Sequence, residues 1–181
     1  MLNFCLKKLP KRQYKYHELH YTYSSDEHYL PLKTQNESGF SFSFLREKIS
    51  ETYRHDSYDT LYDDSWKNCT AYGVFTNESE KIAGYLEVSR ENWNDRLRIT
   101  NLLVLEEFRG HGIGSFLINK AKSVAESENR RIIVLETQSC NVPAIDFYLK
   151  HGFVFAGTNL YFYSNCDIAE DEVMIEMAYL Y

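Results

Sequence analysis

Apolar residues along the chain keep one period for a stretch and then switch to another, and each switch marks an element. Ala71 to Phe75 and Ile82 to Ser89 read as two strands around the polar residues Asn77 to Glu80, which predicts a hairpin. RLRITNLLVL, Arg96 to Leu105, starts as an alternation and decays into a continuous apolar run, the mark of a central strand covered on both faces. Ile113, Leu117, Ala121, Val124 and Ala125 then fall on one helical face, and the pattern stops near SENRR. RIIVLETQ, Arg131 to Gln138, is a second buried strand. Asn141 as N-cap, Pro143 just inside and Gly152 at the end delimit a short helix after it. Two strand-like segments, 153–163 and 172–181, close the chain on either side of the acidic turn SNCDIAED.

The first part of the chain is less periodic. Residues 1–40 carry tyrosines and charges, and they predict strands or an irregular arm preceding a domain over 41–181. Phe42, Leu45, Ile49 and Tyr53 are spaced for one face of a helix ending near His55. The element order is therefore helix, hairpin, strand, helix, strand, helix and two strands. That is an α/β chain with a mixed, mostly antiparallel twisted sheet and one central β-α-β unit.

Composition narrows the class. With 181 residues, 44% of them hydrophobic and only three prolines, the chain can bury a core without metal or disulfide staples. The net charge of −6 gives no general attraction for nucleic acid and suits a cationic substrate. Cys5, Cys69, Cys140 and Cys166 are far apart with no CxxC, so free thiols in a reducing cytoplasm are expected. No apolar run reaches membrane-spanning length, and the order of apolar and basic residues at the start is the reverse of a signal peptide. A soluble, cytoplasmic protein is expected, with no membrane partner.

The chemistry is concentrated in FRGHGIGSFL, Phe108 to Leu117, which sits between the central strand and a helix. Gly110, Gly112 and Gly114 permit torsions and close approach that side chains would forbid, and a helix N-terminus favours an anion, most naturally a phosphate. Arg109 and His111 can add charge or hydrogen bonds. The loop ends in GSF where a nucleotide P-loop needs GK[ST], and Ser115 stands where the dinucleotide fingerprint needs its third glycine or alanine. A purely structural glycine turn is the remaining alternative.

At this point the sequence resembles a known family. LLVLEEFRGHGIGSFLINKA is similar to the acetyl-CoA loop of the GNAT N-acetyltransferases, and NVPAIDFYLKHGF resembles the same family's NxxAxxFYxxxGF segment one strand later. The likeness runs from about Lys81 to Tyr181. It implies a GNAT fold that binds acetyl-CoA in the cleft where the central strand parts from the next. The amides of Arg109, Gly110, His111, Gly112, Ile113, Gly114 and Ser115 would hold the pyrophosphate. The backbone of Leu103, Val104 and Leu105 would pair with the pantetheine arm, the Leu103 amide facing the acetyl oxygen at a bulge. Asn141, with Ala144 in the same motif, would contact pantetheine. Tyr148 would protonate the departing thiolate, a task suited to a phenol because its ordinary pKa lies above that of a thiol.

Many relatives carry a glutamate on the central strand as base, and here Thr100 and Asn101 stand at the corresponding positions. Glu87 and Glu136 are the remaining strand carboxylates. Either could take a proton or hold a cation, and each could equally be an outward strand glutamate. ENWN at 91–94, VLETQSCNVPAIDFYLKHGF and the terminal EVMIEMAYLY together resemble the streptothricin acetyltransferases. This likeness implies a cationic amine substrate, with Trp93 offering a ring face to the cation beside Glu87 and Glu136. Polyamines, aminoglycosides and peptide or protein amines are alternative acceptors, and a non-catalytic acyl-CoA sensor is the alternative class. HELHY at 17–21 lacks the second histidine of HExxH and GxSxG is absent, so neither a metal site nor a hydrolase is expected. The strand-like C-terminus would permit a homodimer.

Overall fold

A computed structural model describes residues 4–76 and 81–181. Nine strands and three α-helices are present among them: β1 (Phe4–Leu9), α1 (Lys11–Tyr14), β2 (Glu18–Asn36), β3 (Gly39–Thr60), β4 (Thr70–Thr76), β5 (Ile82–Glu91), β6 (Arg96–Val104), α2 (Ile113–Ser127), β7 (Ile132–Gln138), α3 (Val142–Lys150), β8 (Val154–Asn159) and β9 (Met174–Leu180). The chain divides into two compact units. The first comprises 1–21, 56–135 and 178–181, and the second 22–55 and 136–177.

In the first unit the strands lie in the order β1-β4-β5-β6-β7. The pairs β1/β4, β4/β5 and β5/β6 are antiparallel, and β6/β7 is parallel from Arg96↔Ile132 to Ile99↔Leu135. The sheet is thus mixed and mostly antiparallel, with the β6-α2-β7 crossover supplying its parallel step. β5 is buried along most of its length because both its faces are covered. On one face α2 buries Ile113, Leu117, Ile118, Ala121, Val124 and Ala125. It comes close enough that a Cβ on Gly84 would meet Ile113 Cγ2 at 3.1 Å. On the other face Leu9, Leu19, Leu61, Tyr62, Ala71, Tyr85 and Leu103 form the core. Burying a leucine completely contributes about 2 kcal/mol, so these two layers dominate the unit's stability.

The helix expected to end near His55 does not form. Residues 39–60 are one long strand, β3, beside β2 in a two-stranded ribbon. The local sequence explains it: Phe40, Phe42 and Phe44 alternate with Ser41 and Ser43, a period of two that outweighs the helical spacing of 42, 45, 49 and 53. The described residues before position 40 are mostly strand, β1 and β2 with the short α1 between them, and β1 pairs with β4 from Phe4↔Thr76 to Leu9↔Ala71. The hairpin, the central strand, both later helices and the two closing strands occur where the periodicity places them, although turn residues 77–80 lie outside the described residues.

The second unit holds the β2/β3 ribbon, α3, β8 and β9. Arg46 on β3 donates to Glu27 on β2 at 3.0 and 2.5 Å and to both carboxylate oxygens of Asp146 on α3 at 2.8 and 3.0 Å, so one guanidinium ties ribbon to helix. No helix among the described residues is long and apolar enough to cross a membrane.

Candidate active site

The glycine loop takes its shape from two residues. Gly110 and Gly112 have φ of 79° and 82°, left-handed values that cost a residue with a Cβ about 1–2 kcal/mol. A Cβ on either would meet no atom within 4 Å, so conformation rather than packing requires glycine there, and the space beside the loop is open. Gly114 differs. It lies in the first turn of α2 with no left-handed backbone, so the third glycine is not required by torsion. Gly112 caps a 15-residue helix without any side-chain cap, so the positive end of α2 opens onto the loop. His111 Nδ1 lies 2.9 Å from the Arg109 carbonyl, a contact that folds the side chain back onto the loop.

β6 leads into this loop with a bulge. Glu87 pairs with Asn101 and Val88 with Ile99, so Thr100 is the extra residue. Beyond the bulge the register fixes where each amide points. Leu105 N–H donates to the Ala83 carbonyl at 3.0 Å, and amides two residues apart on a strand face the same way, so the Leu103 amide also turns toward β5. The assignment of Leu103 N–H to an acetyl oxygen is corrected accordingly: Leu102 and Val104 present their peptide groups away from β5. The Val104 carbonyl shows this directly by accepting from Arg109 Nε at 3.2 Å.

Glu87 is not an outward strand glutamate. It is 0% exposed and accepts from the Tyr62 amide at 2.6 Å, from Thr100 Oγ1 at 2.7 Å and from Asn101 Nδ2 at 3.3 Å. Asn101 in turn accepts from the Tyr21 hydroxyl at 2.8 Å. A buried carboxylate is therefore present on the strand beside β6, held by the side chains of Thr100 and Asn101. Tyr62 and Tyr21 are site neighbours that periodicity could not reveal, since both belong to segments far from β5 in sequence.

Trp93 lies at the other end of β6 from the glycine loop. It is 83% exposed in the β5–β6 turn, where the Arg96 guanidinium lies 6.0 Å from its ring centroid. The eight residue steps from Arg96 to Val104 put about 26 Å of strand between that turn and the glycine loop.

In the second unit, Asn141 caps α3 as its sequence position predicts, its side chain accepting from the Ala144 amide at 3.2 Å. Tyr148, about two turns beyond that cap on α3, is 8% exposed and packed against Phe147 and Phe153. Its hydroxyl takes no hydrogen bond from the described residues. Burial, and after it the Glu136 carboxylate, pushes the Tyr148 phenol above its ordinary value, so it stays protonated across the neutral range. Glu136 is exposed and accepts a hydrogen bond from the Tyr163 hydroxyl. Nearby, Tyr23 donates to Gln138 at 3.0 Å and Gln138 donates to Glu172 at 2.7 Å. No group of three metal-ligating side chains occurs among the described residues.

This geometry has relatives. The family model for the acetyltransferase (GNAT) family matches residues 41–153. A streptothricin acetyltransferase of Escherichia coli is 38% identical over 101 residues, covering 56% of this chain and 56% of that protein, so the match spans little more than half of the relative's length. Streptothricin acetyltransferase A of Bacillus subtilis (strain 168) is 29% identical over 139 residues, covering 76% of this chain and 75% of the relative. In fold, the crystal structure of nourseothricin acetyltransferase superposes with a TM-score of 0.74 at 22% identity, over 98% of both chains. A candidate streptothricin acetyltransferase from Bacillus anthracis str. Ames, solved in complex with acetyl coenzyme A, gives 0.72 at 22% identity over 99% of this chain and 98% of that one. With a bulged strand, a two-glycine left-handed loop opening a helix, and a family match over well more than half its length, the chain belongs to the acetyltransferase (GNAT) family.

Proposed function

We propose that the chain transfers the acetyl group of acetyl-CoA to a primary amine of a small cationic molecule, the β-lysine amine of streptothricin foremost, and so confers antibiotic resistance. The observation that carries this reading is the open glycine loop, whose two left-handed residues stand with free space beside them at the N-terminus of α2, in a chain similar to streptothricin acetyltransferases. Acetyl-CoA supplies an activated thioester carbonyl, and this chain's residues bind, orient and exchange protons around it.

In this reading the amides from Gly110 to Ser115 hold the pyrophosphate, where several N–H groups and the positive end of α2 meet two negative charges. The peptide groups of Leu102 and Val104, turned away from β5, serve the pantetheine arm and the acetyl oxygen, and an amide donor there stabilises the oxyanion that forms on attack. Asn141 keeps its amide nitrogen for a pantetheine carbonyl while its oxygen caps α3. Tyr148 gives its proton to the leaving thiolate, and its high pKa ensures that the proton is present to give. The uncommitted Tyr148 hydroxyl favours catalysis over a sensor, which has no use for a buried acid.

The test is mass-spectrometric detection of acetylated product from acetyl-CoA with streptothricin, polyamines, aminoglycosides and peptide amines in parallel. Acetylated streptothricin is the expected product. Preference for another amine would move the substrate assignment and leave the reaction standing, whereas coenzyme binding without product from any amine would favour the sensor.

A further inference from the structure

Neighbouring residues on a regular strand face opposite sides of the sheet, yet Thr100 and Asn101 both donate to the same oxygen, Glu87 Oε2. The bulge at Thr100 makes this possible by putting two residues of β6 opposite one gap in β5. Of the three donors to Glu87, Tyr62 and Asn101 are buried and Thr100 is only partly so. None is cationic. Among the described residues Glu87 makes no ion pair, a costly way to hold a buried carboxylate, and of its donors Thr100 is the most exposed.

We propose that Thr100 and Glu87 form a proton relay that activates the acceptor amine, with Thr100 the group that touches substrate and Glu87 the proton acceptor behind it. This rests on the acetyltransfer reading above. The ammonium gives one proton to Thr100 Oγ1 as the Thr100 proton crosses 2.7 Å to Glu87 Oε2. The freed lone pair then forms the C–N bond to the acetyl carbon and the C–S bond breaks. The second N–H proton leaves as the amide forms and offsets the one proton that the departing thiolate takes up, and Glu87 returns its proton to water through Thr100. No side chain needs to move for the first transfer, because the hydrogen bond already joins the two oxygens. The same arrangement selects for cations, since an approaching ammonium meets the Glu87 charge directly behind the hydroxyl.

The test is the pH dependence of kcat/KM for whichever amine the wild-type protein acetylates, comparing Thr100→Val and Thr100→Ser. The valine variant should lose roughly 100-fold near neutral pH and recover toward wild type as pH approaches the amine's own pKa, where no proton acceptor is needed. Thr100→Ser should stay within about threefold of wild type, because it keeps the hydroxyl. Acetyl-CoA affinity should be unchanged in both. A valine variant that matches wild type, or that loses the same factor at every pH as a packing defect would, overturns the relay and leaves acetyl transfer intact. A wild-type protein that acetylates no amine overturns acetyl transfer itself, and the relay with it.

Discussion

Replacing Gly112 with alanine separates what the glycine loop does for the fold from what it does for a ligand. Gly112 sits at φ 82° and ψ 0° as the N-cap of α2. A left-handed alanine costs about 1–2 kcal/mol, and because its Cβ would meet no atom within 4 Å, no steric penalty adds to that strain. At about 2–4 °C per kcal/mol for a protein of this size, Tm should fall by about 2 to 8 °C in calorimetry. Gly157 on β8 is the control: its surroundings are equally open and its backbone is not left-handed, so Gly157→Ala should change stability by less than about 0.5 kcal/mol. If a pyrophosphate lies against the loop, the new Cβ projects into its place, and titration calorimetry should show acetyl-CoA Kd rising at least about tenfold, or 1.4 kcal/mol. A lowered Tm with unchanged Kd would refute the pyrophosphate assignment while keeping the strain argument. An unchanged Tm would refute the strain argument itself.

Tyr148→Phe should lower kcat by about 10²-fold or more with acetyl-CoA affinity retained, read by steady-state kinetics and calorimetry, since it removes a proton donor and little packing. Tyr62→Phe tests the core behind Glu87. Its hydroxyl donates to the Leu9 carbonyl at 2.5 Å and accepts from the Ala71 amide at 2.9 Å, so its loss orphans two buried groups and should cost about 2–4 kcal/mol in urea denaturation. Glu128 is held below its ordinary pKa, first by its hydrogen bonds from Arg90 and then by Arg130. A carboxylate with a depressed folded pKa stabilises fully above its unfolded value of 4.5 and loses that contribution as pH falls through the folded pKa. Glu128→Gln should therefore lower Tm at neutral pH and close the gap to wild type in acid; a gap that persists unchanged at low pH would assign the loss to packing.

Much of the fold from Thr70 onward was legible because each element there repeats one period long enough to exclude the other. The loop glycines at 110 and 112, the cap at Asn141 and the terminator at Gly152 are local signals, and the backbone torsions and hydrogen bonds bear them out. β3 was misread because Phe42, Leu45, Ile49 and Tyr53 fit a helix while Phe40, Phe42 and Phe44 fit a strand, and only pairing with β2 decides between them. Which amides of β6 face a ligand was illegible for a related reason. A bulge shifts register by one residue, and one residue reverses every direction after it. Tyr62 and Tyr163 were missed because a tyrosine's role depends on what its hydroxyl reaches, and fifteen tyrosines in one sequence give no means of choosing.

The buried carboxylate on β5 bears on what β6 can carry opposite it. Read along β6 alone, Thr100 and Asn101 look like the loss of a base. In space their side chains both donate to Glu87 on β5, which the Tyr62 amide also holds. The strands cannot both carry the acid. A glutamate at position 100 would put a second, partly buried carboxylate within hydrogen-bonding reach of Glu87, and the pair would persist most readily by keeping one proton. Thr100→Glu should therefore destabilise the protein strongly when Glu87 is present and far less when combined with Glu87→Gln, a non-additivity that denaturation of the two single variants and the double variant would measure. Additive losses would mean that residues 87 and 100 do not share one charge site, and the account of why this chain can dispense with an acid on β6 would fail.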